Sequence, residues 1–203
     1  MKLLYAPPSP FARKVRVAVI EKGLEDRIEL VMVNPMGDDA TLLAANPLSK
    51  IPALILDDGR SLIDSALICD YLDGLSDTNP LIPAGADRYT VLADAYLANG
   101  VLEAAVVCRL EMFRPEEIRW SVWLERQHKA IERGLKALET RVDILGGAIT
   151  LAQINLGILL EYLDFRLPDL EWRRGQPNLA AWQKSFAERP AMVATRPEEN
   201  PLA

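Results

Sequence analysis

The sequence predicts a mixed α/β domain followed by an all-helical domain. Short apolar runs typical of strands alternate with helical patterns in the first part of the chain, and strand patterns largely disappear after it. The stretch between the two parts is rich in proline, glycine and polar residues, as linkers are. We therefore predict an α/β domain over residues 1–75, a linker over 76–86 and a helical domain over 87–203. A chain of 203 residues can bury a sizeable core.

The first domain is predicted to contain β-α-β followed by β-β-α. The strand candidates are the apolar runs at 3–6, 28–33, 53–56 and 61–63. The first helix begins at Ser9-Pro10, because serine favours the N-cap and proline suits the first helical position, and it ends at Gly23. Asp64-Ser65 begins the last helix of this domain. This order of elements is typical of a thioredoxin-like domain.

The first helix carries its apolar residues on one face. Its basic residues are predicted to lie largely on the other face, in solvent: Arg13, Lys14 and Arg16.

The second domain is predicted to be all helical. Helices are predicted from Tyr89 to about Phe113, from Pro115 to Val142, from Thr150 to about Phe165, and from Pro177 to near Arg189. Gln153 stands three residues after Thr150 and can complete a capping box with it.

Composition excludes several functional classes. The net charge of -6 gives no positive field for a nucleic acid backbone. We find neither a signal peptide nor an uncharged apolar stretch of about 18 residues, so we expect a cytoplasmic protein without membrane contact. Cys69 and Cys108 are far apart, with no CxxC and no histidine cluster, so we expect two core thiols and no metal site.

Three motifs precede the helical domain in a fixed order. They are SPFARKVR at residues 9–16, NPLSKIPAL at 46–54, and Asp64-Ser65. In this order and at these spacings they resemble the glutathione transferase family, of the bacterial type with a serine at the start of helix 1. The resemblance covers nearly the whole chain. It implies a thioredoxin-like glutathione-binding domain, a helical domain that contributes a hydrophobic substrate site, glutathione as co-substrate, and a homodimer.

Ser9 is the predicted catalytic residue. A thiol is mostly protonated at neutral pH, so an enzyme that uses it as a nucleophile must favour the thiolate. The Ser9 hydroxyl would donate to the sulfur from a helix N-terminus, whose dipole adds partial positive charge. Alternatively Ser9 only caps its helix, and Tyr5 is a rival donor because some branches of the family use a tyrosine near the end of the first strand. Arg13 could also reach the thiolate region, although basic helix faces are usually exposed.

Serine at this position also bears on the type of reaction. Redox-type relatives have a cysteine there, and Ser9 cannot form a mixed disulfide with glutathione. Conjugation is therefore favoured over thiol exchange.

The resemblance implies further contacts with glutathione. If the Ile51-Pro52 peptide is cis, the Ile51 backbone faces outward and pairs with a peptide-like ligand as an added strand. A trans proline that only begins a strand is the alternative. Ser65 and the N–H groups at the helix start would take the γ-glutamyl carboxylate, and Asp64 the ammonium. Lys50 would either face the glycyl carboxylate or be solvated.

The predicted function is attack of the glutathione thiolate on a hydrophobic electrophile. Apolar residues after strand 1 and along the first long helix are the candidates for the electrophile site: Phe11, Leu110, Met112 and Phe113. An apolar pocket does not distinguish conjugation from dehalogenation, isomerisation or peroxide reduction. The alternative function is a non-catalytic protein of this fold that recruits a protein partner. The retained Ser9, Asp64 and Ser65 weigh against that alternative.

Overall fold

The structure, a computed structural model, describes residues 1–141 and 145–199. Contacts between Cα atoms divide the chain into two compact units. Unit 1 comprises Met1–Ile82 and the segment that begins at Arg189, and unit 2 comprises Pro83–Glu188. The predicted fold class, an α/β domain followed by a helical domain, is confirmed.

Unit 1 contains a four-stranded mixed sheet of order β2-β1-β3-β4. The strands are β1 (Lys2–Tyr5), β2 (Glu29–Met32), β3 (Ala53–Ile55) and β4 (Ser61–Leu62). β1 pairs with β2 in parallel and with β3 in antiparallel orientation, and β3 pairs with β4 in antiparallel orientation. A parallel crossover and a hairpin thus share one sheet, which is the predicted thioredoxin-like arrangement.

The helices follow the predicted order with local differences. In chain order they are α1 (Pro10–Glu21), α2 (Ala40–Ala45), α3 (Ser65–Asp73), α4 (Asp87–Glu111), α5 (Ser121–Glu139), α6 (Leu151–Arg166), α7 (Pro177–Phe186) and α8 (Pro190–Ala194). Periodicity does not predict α2, because six residues are too few to display a helical period. The fourth predicted helix of the second domain is α7, which ends at Phe186 instead of near Arg189, and α8, which begins at Pro190, was not predicted.

α1 is buried on more sides than its apolar stripe indicates. Arg13 is 2% exposed and Lys14 is 1% exposed, so the prediction that they face solvent is wrong. Arg16 is half-buried. The reason is that α1 packs against both α3 and α8, and a single apolar stripe cannot reveal the second of these contacts.

The C-terminal segment belongs to unit 1, although the predicted domain 87–203 includes it. α8 packs against α1. The Arg189 guanidinium pairs with the Glu21 carboxylate through two hydrogen bonds of 3.0 and 2.9 Å. Contacts between residues so distant in sequence leave no mark on local composition, so a boundary placed from composition misses them.

The first part of the predicted linker is fixed within unit 1. The fully buried Lys22 ammonium donates to the Asp73 carboxylate at 2.9 Å and to the carbonyls of Ser76 and Thr78 at 2.8 and 2.6 Å. Asp73 also accepts from the backbone N–H of Leu81 at 2.8 Å. Because a buried ammonium must be fully paired, this cluster orders the chain beyond α3.

Unit 2 is helical, with α4 packed against both α5 and α6. The Asn155 amide on α6 donates to the carbonyl of Ala95 on α4 at 2.8 Å. The predicted capping box is present, and the Thr150 N–H donates to Gln153 Oε1 at 3.0 Å.

α5 differs from its predicted bounds. It begins at Ser121, after a single 3-10 turn over Glu116–Ile118, whereas the prediction started it at Pro115. Its described residues end at Glu139, and Val142, the predicted end of its stripe, lies outside the described residues.

By length and composition alone, α4 could cross a membrane, contrary to the prediction that no stretch of the chain is apolar enough. The core helix of a soluble protein passes the same test. α4 buries residues such as Ala98 and Leu102 and packs against α5 and α6, so its apolar character has a use within unit 2.

Candidate functional site

The sheet register brings the three predicted motifs to one end of the sheet. β1 ends shortly before Ser9. β3 is antiparallel to β1, so Ile51 and Pro52, which precede β3, lie at the same end. β4 is antiparallel to β3, so Asp64 and Ser65, which follow β4, reach that end as well. Groups from three separated parts of the sequence therefore lie at one end of the sheet in unit 1.

Ser9 is the N-cap of α1. Its Oγ accepts a hydrogen bond from the Ala12 N–H at 3.2 Å, and Pro10 occupies the first helical position. The side chain is half-buried. A hydroxyl that accepts from the backbone keeps its own hydrogen for donation. The cap observed here is therefore compatible with a second role as a donor.

The segment before β3 contains the predicted cis peptide, Ile51-Pro52. Pro52 is buried, and within the described residues no backbone group bonds the N–H or C=O of Ile51. The buried Asn46 side chain holds the segment, because its amide donates to the Lys50 carbonyl at 2.8 Å and accepts from the Leu48 N–H at 3.1 Å. The Ile51 backbone is thus held in place, and among the described residues its N–H and C=O have no backbone partner.

The start of α3 combines an exposed carboxylate with a buried hydroxyl. Asp64 is the N-cap, and its Oδ1 accepts from the Ala66 N–H at 2.9 Å. Ser65 is 5% exposed, and its Oγ accepts from the Lys14 ammonium at 3.2 Å. The peptide between Ile63 and Asp64 is also cis. The Lys50 side chain is exposed.

Comparison with known proteins identifies the family. Residues 8–75 match the model "Glutathione S-transferase, N-terminal domain" and residues 121–183 match "Glutathione S-transferase, C-terminal domain". The crystal structure of a glutathione transferase family member from Pseudomonas fluorescens Pf-5 with bound glutathione is 43% identical. The alignment covers 98% of this chain and 99% of the Pseudomonas fluorescens chain, with a TM-score of 0.94. The chain belongs to the glutathione S-transferase family.

Two further members of the family are similar over most of their length. A glutathione S-transferase from Methylobacterium radiotolerans in complex with glutathione sulfonate is 34% identical, covers 100% of this chain and 97% of its own, and has a TM-score of 0.88. Glutathione S-transferase 2 of Saccharomyces cerevisiae is 31% identical over 92% of this chain and 85% of its own. Close structural homologues therefore bind glutathione or a derivative of it.

Tyr5, the rival donor, lies at the end of β1 and is half-buried. The Arg16 guanidinium stacks over its ring at 4.9 Å from the ring centre. Burial lowers the pKa of Arg16, while the nearby Tyr5 and Glu198 act in the opposite direction.

The candidates for the electrophile site differ in exposure. Phe11, in unit 1, is half-buried. In unit 2, Leu110, Met112 and Phe113 are 49%, 42% and 64% exposed. The Arg109 guanidinium lies 4.6 Å from the centre of the Phe113 ring. Apolar side chains are thus available on unit 2 where α4 ends.

Two basic residues of the first motif make buried contacts that the sequence did not predict. Arg13 does not lie in solvent: its guanidinium donates to the Met192 carbonyl at 3.0 Å and to Thr195 Oγ1 at 3.3 Å. Lys14 contacts Ser65 instead of solvent. The only sequence feature that could have indicated this is the presence of small or apolar residues on several faces of α1, such as Ala12 and Val17, both fully buried.

Within the part of the chain that the structure describes, no group of three or more His, Cys, Asp or Glu side chains could hold a metal ion.

Proposed function

We propose that this protein is a glutathione transferase that binds glutathione on unit 1 and directs its thiolate at a hydrophobic electrophile. The observation that carries the proposal is the position of Ser9, whose hydroxyl lies at the N-terminus of α1. Ile51 and the start of α3 lie at the same end of the sheet. The homologues with bound glutathione support the choice of ligand.

Ser9 acts on the glutathione sulfur as a hydrogen-bond donor. Its Oγ already accepts from the Ala12 N–H, so its hydrogen is free to point at the ligand. A donor at a helix N-terminus stabilises negative charge and lowers the pKa of a bound thiol. The thiolate then attacks an electrophilic carbon, forming a sulfur–carbon bond while the leaving group takes the bonding electrons. Positioning of the two reactants supplies much of the rate.

The remaining glutathione contacts follow the three motifs. The Ile51 backbone before Pro52 would pair with the cysteinyl unit as an added strand, because no backbone group of the described residues bonds its N–H or C=O. Ser65 and the N–H groups at the start of α3 would hold the γ-glutamyl carboxylate, and the exposed Asp64 would hold the ammonium. Lys50 would face the glycyl carboxylate.

Each unit offers apolar surface to a hydrophobic electrophile. Phe11 supplies a ring in unit 1, and Leu110, Met112 and Phe113 supply exposed side chains in unit 2. Such surfaces select for apolar character and discriminate weakly among substrates, so we propose a broad substrate class.

We also propose that the protein is a cytoplasmic homodimer. Tyr89 and Tyr96 on α4 are 76% and 57% exposed and offer aromatic surface to a second copy. Light scattering should return the mass of two chains, and the mass of one chain would contradict the dimer.

The proposal is tested with Ser9→Ala. Glutathione binding is measured by calorimetry, and the rate of conjugation to a generic aromatic electrophile is measured against pH. We expect the variant to bind glutathione, but its conjugation rate should fall about 100- to 1,000-fold. That is the usual effect of removing one hydrogen-bond donor to an anion in an active site. The pKa of the bound thiol should rise. The matched control is Ser185→Ala, an exposed serine of α7 in unit 2, which should leave both measurements unchanged.

Ser9→Ala also removes an N-cap, which costs about 1 kcal/mol of stability, so thermal unfolding must show that the variant is folded. If the wild type binds glutathione without turnover, the partner-recruiting alternative is favoured. If it does not bind glutathione, the site assignments are wrong.

A further inference from the structure

Lys14 is a buried lysine to which the motifs assign no function. It lies on α1, about one turn after Ser9, and only 1% of its surface is exposed. Its Nζ lies 3.2 Å from Ser65 Oγ and 5.8 Å from the centre of the Phe11 ring. Burial of an ammonium group costs free energy, so its contacts must compensate that cost.

The bond between Lys14 and Ser65 has a fixed direction. An ammonium group has three donors and no acceptor, so Ser65 Oγ must accept from it. The hydroxyl hydrogen of Ser65 then points away from Lys14. A serine hydroxyl without such a neighbour rotates freely between the roles of donor and acceptor.

The surroundings of Ser65 determine where this hydrogen is useful. Ser65 is the first residue of α3, where unpaired N–H groups and the helix dipole favour an anion. The Ala66 N–H already donates to Asp64 Oδ1, at 2.9 Å. A hydroxyl held as a donor therefore adds a hydrogen bond for an anionic ligand at a helix start where one backbone donor is already used.

We propose that Lys14 is a positioning residue that fixes Ser65 as a donor to the γ-glutamyl carboxylate of glutathione. The inference rests on the proposed function, because it concerns the same ligand. Lys14 acts through Ser65, and it affects the binding of the ligand's γ-glutamyl carboxylate only.

The test compares two ligands on four forms of the full-length protein. The ligands are glutathione and 4-aminobutyryl-cysteinyl-glycine, which lacks only the γ-glutamyl carboxylate. The proteins are the wild type, Lys14→Met, Ser65→Ala and the double variant. Calorimetry gives Kd for each pair, and steady-state kinetics gives KM for glutathione and kcat.

We expect Lys14→Met to raise Kd for glutathione roughly 10- to 100-fold, the effect of one hydrogen bond to a charged group. Its Kd for the analogue should stay within about twofold of the wild-type value. The double variant should bind glutathione no more weakly than Ser65→Ala alone, because Lys14 has no effect without the hydroxyl. KM should rise while kcat at saturating glutathione changes little, and Lys14→Arg should restore part of the affinity. Lys129→Met, at an exposed lysine of α5, is the matched control and should change neither Kd.

Two results would overturn the inference while the proposed function stands. One is an equal loss of affinity for both ligands, which would mean that Lys14 only stabilises the packing of α1 against α3. The other is additive losses in the double variant, which would mean that Lys14 does not act through Ser65. If Lys14→Met does not fold, Lys14→Leu, which also lacks a hydrogen-bond donor, replaces it in the same comparison. If the wild type binds neither ligand, the proposed function is wrong and the inference falls with it.

Discussion

At the scale of single residues, the two cysteines show how burial controls reactivity. Cys69 and Cys108 are each 1% exposed and carry free thiols. Burial raises the pKa of Cys69 to about 12, although Lys14 acts to lower it, and burial raises the pKa of Cys108 to about 11. Because the thiolate is the reactive form of cysteine, both groups should be inert in the folded protein at neutral pH.

Thiol labelling tests this directly. At pH 8 we expect a disulfide reagent to modify neither cysteine of the native protein and to modify both after unfolding in guanidinium chloride. Stability should also depend on pH. An unfolded thiol ionises near pH 8.5, below the folded pKa of either cysteine, so the unfolded chain releases protons first. The free energy of unfolding should therefore fall as the pH rises above about 8.5. Labelling of the native protein as fast as the unfolded chain would contradict the burial of these thiols.

The sequence was sufficient for residues whose type limits their own conformation. Ser9 at the N-cap was predicted because serine strongly prefers that position, whereas the cis peptide before Pro52 was expected from the family resemblance. The burial of Arg13 and Lys14 was not predicted, because it depends on α3 and α8 packing against α1. The roles of Ser9, Ile51 and Ser65 toward a ligand remain predictions.

At the scale of elements, α4 and α5 approach each other closely at a glycine. A Cβ added to Gly134 on α5 would overlap Cγ2 of Val101 on α4. The exposed Gly100 on α4 has open space around it, with no heavy atom within 4 Å of an added Cβ. Both glycines lie within helices, so they differ in packing while sharing the same backbone conformation.

Gly134→Ala and Gly100→Ala therefore have opposite expected effects. Alanine is favoured over glycine inside a helix by about 1 kcal/mol, so Gly100→Ala should raise the free energy of unfolding by about 0.5 to 1 kcal/mol. Gly134→Ala should lower it by about 1 to 3 kcal/mol, because overpacking outweighs the gain in propensity. Urea unfolding gives both values. Addition of Val101→Ala to Gly134→Ala should recover part of the loss, and stabilisation by Gly134→Ala alone would mean that the helices do not approach closely there.

The long helices were predictable and the short connections were not. The apolar stripe of α4 and the long apolar run after Thr150 each extend over several turns, so both define their helices closely. α2 has only six residues, and the chain between α4 and α5 forms a 3-10 turn in place of a first helical turn. These segments take their conformation from capping and packing, which a hydrophobic period does not record.

At the scale of the whole molecule, the chain returns to unit 1 after it has formed unit 2. It leaves unit 1 after Ile82 and re-enters it at Arg189. Composition indicated the first boundary because proline and glycine cluster there. It gave no indication of the second, where α8 is held to α1 by Arg13 and Arg189. By its contacts the segment from Arg189 groups with unit 1, whereas the predicted helical domain runs over 87–203.

Thr195→Val tests whether the C-terminal segment stabilises unit 1. Thr195 is 1% exposed, and its hydroxyl accepts from the Arg13 Nε at 3.3 Å and donates to the Ala191 carbonyl at 2.8 Å. Valine keeps the shape but leaves the buried Arg13 Nε without this acceptor, which should cost about 1 to 3 kcal/mol. We expect hydrogen exchange to accelerate in α1 and α8 and to change little in α4 and α6.

The control is Thr140→Val, because Thr140 is exposed and its hydroxyl donates to the Ala137 carbonyl at 2.9 Å. That change should alter stability by less than about 0.5 kcal/mol, as surface substitutions do. Acceleration in α4 and α6 caused by Thr195→Val would instead assign the C-terminal segment to the helical unit. Acceleration confined to α1 and α8 would mean that unit 1 depends for its stability on a segment that follows unit 2 in the sequence.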